Sequence, residues 1–121
     1  MTARCGGSNG HGIRVQRLLF ICTANRLRSP TAEQVFSQYD EVEARSAGLA
    51  HDAVDPLTPE HFEDIDIIFV MEKQHRNKLS KRFKRDIGQA RVVCLNIPDD
   101  YDYMQPELIA LLKARVGPHL R

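Results

Sequence analysis

The sequence predicts an α/β fold: a doubly wound, four-stranded parallel sheet with helices on both faces. Three observations predict it. Short, unbroken apolar runs such as Leu18-Leu19-Phe20-Ile21 and Ile67-Ile68-Phe69-Val70 have the length of strands buried on both faces. Segments with apolar residues three and four apart fall between them. The two patterns alternate along the chain, and such alternation closes most simply as right-handed crossovers around a parallel sheet.

The first strand is predicted over 17–22, ending at Cys22. A helix follows from Pro30 to Tyr39, with Ala32, Val35, Phe36 and Tyr39 on one face, Ser29 suited to the N-cap and Pro30 to the first helical position. Residues 41–47 alternate polar with small or apolar side chains and predict a weaker second strand. A short helix is expected over 59–64, then the second strong strand over 66–71. In 72–83, Met71, His75, Leu79 and Phe83 recur every fourth residue, an inward helical face with Lys and Arg opposite. Residues 91–95 predict the fourth strand, and 106–116 a last helix with Leu108, Leu111, Leu112 and Val116 inward. Residues 1–16, rich in Gly, Ser, Asn and Arg, read as a tail; 17–121 read as one domain.

Composition narrows the function. With 17 Lys and Arg against 16 Asp and Glu, whole-chain attraction to nucleic acid or to an acidic membrane is not expected. No apolar run reaches the length of a membrane span, and the first residues lack the apolar centre of a secretory signal. Three scattered cysteines, Cys5, Cys22 and Cys94, suit neither a disulfide framework nor a zinc site. The five histidines form no ligand pattern, so no metal or cofactor is expected, and a reducing cytoplasm is the expected compartment.

The chemistry concentrates in the loop Cys22-Thr23-Ala24-Asn25-Arg26-Leu27-Arg28-Ser29, between the first strand and the first helix. In parallel sheets, sites form beyond the carboxyl ends of the strands, where this loop lies. A loop wrapped around a helix N-terminus turns successive backbone N–H groups inward and makes an anion nest. The Arg28 guanidinium suits bidentate capture of a tetrahedral oxyanion. Thiolates are favoured at helix N-termini and beside Arg, so Cys22 fits a nucleophile at the floor of that nest, with Ser29 donating to its sulfur. The plainer reading of Cys22 is a small buried hydrophobe, but an isolated Cys would not come with Arg and Ser at these spacings. Asn25 reads equally as a turn residue or as a side-chain tie within the loop.

The segment LLFICTANRLRSPTAEQVF resembles the opening of the low-molecular-weight protein tyrosine phosphatases. Cys22, Asn25, Arg28, Ser29 and Pro30 fill their signature positions; Ser46-Ala47-Gly48, the DIIFVM strand and the helix with His75 extend the likeness over about residues 17–116. The resemblance implies that family's doubly wound fold and metal-free hydrolysis of phosphotyrosine, or a similar aryl phosphate, through a phosphocysteine intermediate. Its partners would be a phosphotyrosine protein or small aryl phosphate, with phosphate as product and no nucleic acid or membrane. It assigns Thr23, Ala24, Asn25, Arg26, Leu27 and Ser29 to substrate binding. Ala24 stands where the family often has Gly, Leu27 where many members have a second Cys, and Arg26 where an apolar residue is common.

Expelling a phenolate needs a proton donor. The family's acid is an Asp in a loop at the same sheet edge, usually followed by Pro and an aromatic residue. In Ile97-Pro98-Asp99-Asp100-Tyr101-Asp102-Tyr103, Asp99 matches by register, Asp100 is its rival and Asp102 the third candidate. Each also reads as a hydrated turn carboxylate. Tyr101 and Tyr103 suit an aromatic wall for the substrate ring, or packing over the edge of the core. Two other readings stand beside the phosphatase. One is a phosphate- or phosphopeptide-binding module without turnover. The other is an arsenate-reductase-type redox enzyme in which Cys94 resolves an oxidised Cys22. The Lys- and Arg-rich run 73–85 reads first as a solvated helix face and second as a mild docking surface for acidic phosphoprotein segments.

Overall fold

The structure, a computed structural model, describes residues 15–120. Apart from Val15 and Gln16, the expected tail lies outside the described residues. The elements run β1 (Gln16–Cys22), α1 (Arg28–Phe36), β2 (Val42–Gly48), a 3-10 turn (Pro59–Phe62), β3 (Ile67–Val70), α2 (Lys73–Arg82), α3 (Lys84–Ile87), β4 (Arg91–Cys94) and α4 (Pro106–Val116), closed by a 3-10 turn (Gly117–His119). The strands form one parallel sheet in the order β2-β1-β3-β4. The chain leaves β1 for β2 on one side, then crosses back to β3 on the other. The carboxyl end of β1 is therefore the switch point, where neighbouring loops part and leave a crevice.

The two central strands, β1 and β3, are buried on both faces, as unbroken apolar runs require. Leu18, Phe20 and Phe69 pack with Ala32 and Phe36 of α1 and Leu108, Leu112 and Val116 of α4. Leu19, Ile21, Ile68 and Val70 pack on the opposite face with Leu79 of α2, Phe83 and Phe62. Phe20 stacks on Phe36 and Phe69, with ring centroids 5.6 and 5.2 Å apart. Among the described residues, no helix is long and apolar enough to cross a membrane.

Three expectations are corrected. The first helix starts at Arg28 with Leu27 as its cap, not at Pro30 with Ser29. Its first intrahelical bond is Thr31 N–H to the Leu27 carbonyl, 3.1 Å, so Pro30 sits third, where no donor is needed. Tyr39 lies past the end of this helix and is 37% exposed, resting against Phe36 instead of entering the core. After Arg82 the chain bends at Phe83 and makes the short α3, which the sequence pattern did not reveal.

Candidate active site

The site is built on the segment between β1 and α1. β1 carries Cys22 to the carboxyl edge of the sheet, where it is 3% exposed. Starting the helix at Arg28 places Arg28 and Ser29 in its first turn, so their free N–H groups and the positive end of the helix dipole face the segment that begins at Cys22. Asn25 takes a left-handed conformation, φ 56°, which Asn tolerates better than other side chains. That turn aims the Asn25 N–H at Cys22 Sγ, 3.3 Å away, and the Asn25 amide donates to Ser29 Oγ at 2.8 Å. Ser29 Oγ lies 2.9 Å from Cys22 Sγ. When Cys22 is a thiolate it has no proton to give, and the serine hydroxyl, its oxygen accepting from Asn25, is the donor to the sulfur. Asn25 is thus a tie and not a bare turn residue. As a thiolate the sulfur would accept from both the Asn25 N–H and the Ser29 hydroxyl, surroundings that suit a nucleophile.

Arg28 is 3% exposed. Its Nη1 donates to Glu72 Oε1 at 2.7 Å and to the Ile97 carbonyl at 2.8 Å. Asp99 Oδ1 lies 3.6 Å from Nε, an ion-pair distance but too long for a hydrogen bond. The Nε and Nη2 edge therefore makes no hydrogen bond to the described residues, and its two N–H groups have the fork geometry that bidentate contact with a tetrahedral anion needs. The hydrogen bond from Arg28 holds the Glu72 carboxyl below its usual range. Glu72 was not legible as a site residue; its one signal is that it is the first charged residue after β3 at the same sheet edge.

His75 is 1% exposed. Its Nδ1 accepts the Glu72 N–H at 3.0 Å, so the ring proton sits on Nε2 and is donated to Thr23 Oγ1 at 2.8 Å. Burial, and then the positive charge of Arg28, push its pKa down to about 4, so the ring is neutral at ordinary pH. The sequence reading of a helix-face contact is right for one side of the ring. It misses that the other side holds the signature loop.

Of the three candidate acids, Asp99 stands beside Arg28, and its side chain is 65% exposed. Asp100 is exposed and makes no polar contact among the described residues. Asp102 offers its N–H to Gln105 at 2.8 Å in a turn before α4. Tyr101 is half-buried against the core under α1 and α4, and Tyr103 is 51% exposed. The acid loop is pinned to α1 by Thr31 Oγ1, which donates to the Leu27 carbonyl at 2.6 Å and accepts the Met104 N–H at 2.9 Å. In the signature loop itself, Thr23 and Arg26 are exposed and Ala24 and Leu27 half-buried.

A strap of residues 48–57 buttresses this loop from the other side. Leu49 N–H donates to the Cys22 carbonyl at 2.9 Å, Ala50 N–H to Thr23 at 3.0 Å and Val54 N–H to Ala24 at 3.0 Å. Cys94 plays no part in the site. It pairs with Val70, which pairs with Ile21, and it packs on the face of Ile21, whereas Cys22 belongs to the opposite face. Two strand spacings put it about 10 Å from Ile21, beyond disulfide reach. The resolving thiol required by the arsenate-reductase reading is therefore not provided by Cys94. Among the described residues, no group of three or more His, Cys, Asp or Glu is arranged to hold a metal ion.

Comparison with known proteins agrees with this geometry. The model of the low molecular weight phosphotyrosine protein phosphatase family matches residues 17–56, which include the signature loop and all but the last residue of the strap. A protein-arginine-phosphatase of Bacillus subtilis is 30% identical in a 95-residue alignment covering 56% of this chain. The chain spans 63% of that relative's length. A mutant of the YwlE arginine phosphatase with a phosphorylated active-site serine superposes with a TM-score of 0.66 at 26% identity, covering 87% of this chain and 95% of that one. The tyrosine phosphatase Wzb from Escherichia coli K30, in complex with phosphate, shares the fold with a TM-score of 0.69 at 20% identity over 87% and 96% of the two chains.

Proposed function

We propose that this chain, whose signature loop and fold are those of the low-molecular-weight phosphatase family, is a cysteine-dependent phosphomonoesterase acting on phosphotyrosine or a similar aryl phosphate. Cys22 Sγ attacks phosphorus, forming the S–P bond as the P–O bond to the leaving group breaks. Arg28 and the loop N–H groups hold the three equatorial oxygens, and Asp99 gives its proton to the departing oxygen. Asp99 then takes a proton from water as that water attacks phosphorus. The S–P bond breaks, the sulfur leaves as thiolate under the Ser29 hydroxyl, and phosphate is released. The approach of Asp99 to Arg28 supports it over Asp100 as the acid.

The observation that carries this reading is the convergence of Cys22, doubly hydrogen-bonded, with Arg28 and Asp99 at one sheet edge. The arginine-phosphatase relatives make the leaving group the open choice. The exposed Arg26, which has no ion-pair partner among the described residues, favours a neutral aryl group over a cationic guanidinium. The test is hydrolysis of p-nitrophenyl phosphate, phosphotyrosine and phosphoarginine without added metal, from roughly pH 5 to 8, near the working range of the acid and the thiolate. Turnover of the aryl phosphates that disappears in Cys22→Ser supports the reading. Activity that survives in Cys22→Ser refutes it. Preferential hydrolysis of phosphoarginine moves the substrate to the guanidinium class. Phosphate binding without turnover in the native protein makes the site a phosphate receptor.

A further inference from the structure

Charge is distributed unevenly over this near-neutral chain. Residues 73–87 hold seven of its 17 basic residues and one of its 16 acidic ones. Lys73, Arg76, Lys78, Lys81, Arg82, Lys84 and Arg85 are all exposed. Arg82 is engaged, donating to the Leu49 carbonyl at 2.8 Å and lying over the Phe83 ring. The side chains of the other six have no hydrogen-bond or ion-pair partner among the described residues. A solvated helix face normally intersperses both signs, because like charges three and four residues apart repel. Here Lys78 with Lys81, and Lys78 with Arg82, are such like-charged pairs within α2, with no acidic neighbour interposed.

The position of this strip gives it a purpose. α2 starts at the site, where Glu72 holds Arg28 and His75 holds Thr23. Its far end returns to the site, since Arg82 binds Leu49, whose own N–H binds the Cys22 carbonyl. Lys78 lies between these two anchors, and its charge reaches His75, where it helps to keep the imidazole neutral.

We infer that the exposed face of α2 is a docking strip for an acidic peptide segment flanking the phosphorylated residue bound at Cys22. This deepens the proposed function and rests on it for the placement of the phosphoryl group. A long nucleic acid fits less well. The rest of the chain carries fifteen acidic against ten basic residues and would repel an extended polyanion. The strip also offers no base-stacking platform, for its one aromatic residue, Phe83, is buried.

The experiment compares two phosphotyrosine peptides of equal length, one flanked by Asp and Glu and one by Ser and Ala. Binding to the Cys22→Ser protein is followed by fluorescence anisotropy, and kcat/KM is measured on the native protein. The acidic peptide should be preferred by about tenfold at low salt. The preference should fade as salt screens it, and vanish in the double variant Arg76→Glu/Lys81→Glu, with p-nitrophenyl phosphate turnover unchanged. Equal handling of the two peptides, or a preference that survives the double variant, overturns the inference. So does an RNA oligonucleotide that displaces the acidic peptide at equal charge, which would assign the strip to nucleic acid. Absence of all turnover in the native protein would defeat the phosphatase reading alone, because the binding comparison still tests the strip.

Discussion

His75 and Glu72 show how single residues at this site link chemistry to stability. The His75 ring is buried and used as a neutral group at both nitrogens, with Arg28, Lys78, Glu72 and Asp99 as its charged neighbours. Its pKa falls from 6.5 to about 4 on folding. Above the unfolded value both states are neutral and the full stability is present. Between that value and the folded one, the unfolded chain binds a proton that the native protein refuses. Stability then declines by about 1.4 kcal/mol per pH unit, or roughly 3 kcal/mol across the window. Glu72, whose pKa is lowered by Arg28, begins to contribute a loss of its own as pH falls below 4.5. His75→Asn keeps an acceptor for the Glu72 N–H but cannot titrate. Urea unfolding at neutral pH and near pH 4.5 should therefore show a flatter decline in the variant than in the native protein. Equal slopes would mean that the imidazole is not held neutral.

At the scale of elements, the strands were legible because burial on both faces writes itself as unbroken apolar sequence. The start of α1 was misread because it depends on the loop's backbone path. Ser29 and Pro30 look like a cap and a first residue, yet Ser29 is turned inward to the sulfur and Arg28 must lie in the first turn to reach Glu72 and Ile97. The strap over 48–57 was not legible, since the three bonds that join it to the signature loop are main-chain bonds with no side-chain signal. Gly48 is its one mark. A Cβ there would lie 2.5 Å from the Ala53 Cβ and 2.6 Å from the Thr23 carbonyl oxygen. Neither neighbour yields cheaply, because one is in the strap and the other in the loop that carries the nucleophile. Gly48→Ala should cost about 1–3 kcal/mol through overpacking. Its thermal midpoint should fall by several degrees, and aryl phosphate turnover should fall further than lost stability explains. A variant with native melting and native turnover would show that the strap shifts freely and does not fix the loop.

For the whole molecule, the sheet divides the chain into two cores, and the site lies at their common edge. Its contiguous half, Cys22 to Ser29, was readable because one strand–loop–helix unit supplies every group. Of the remainder, Asp99 was readable only through the family resemblance, and the parts played by Glu72 and His75 were not, because the start of α2 and the loop after β4 are brought to β1 only by the order β2-β1-β3-β4. The same order decides the fate of Cys94, which sequence alone left open as a partner for Cys22. Side chains alternate between faces along a strand, and register passes from Ile21 through Val70 to Cys94. Cys94 therefore shares the face of Ile21, with the sheet itself between its thiol and that of Cys22. Cys94 is half-buried, and its sulfur makes its one side-chain hydrogen bond among the described residues to Asn96, at 3.4 Å. Cys94→Ser should leave aryl phosphate turnover unchanged. After peroxide treatment of the native protein, mass spectrometry should find Cys22 as a sulfenic or higher oxide and no peptide joined through Cys22 and Cys94. A Cys22–Cys94 cross-link formed without loss of the folded state would require the sheet edge to open by several ångströms, and would return the chain to thiol redox chemistry.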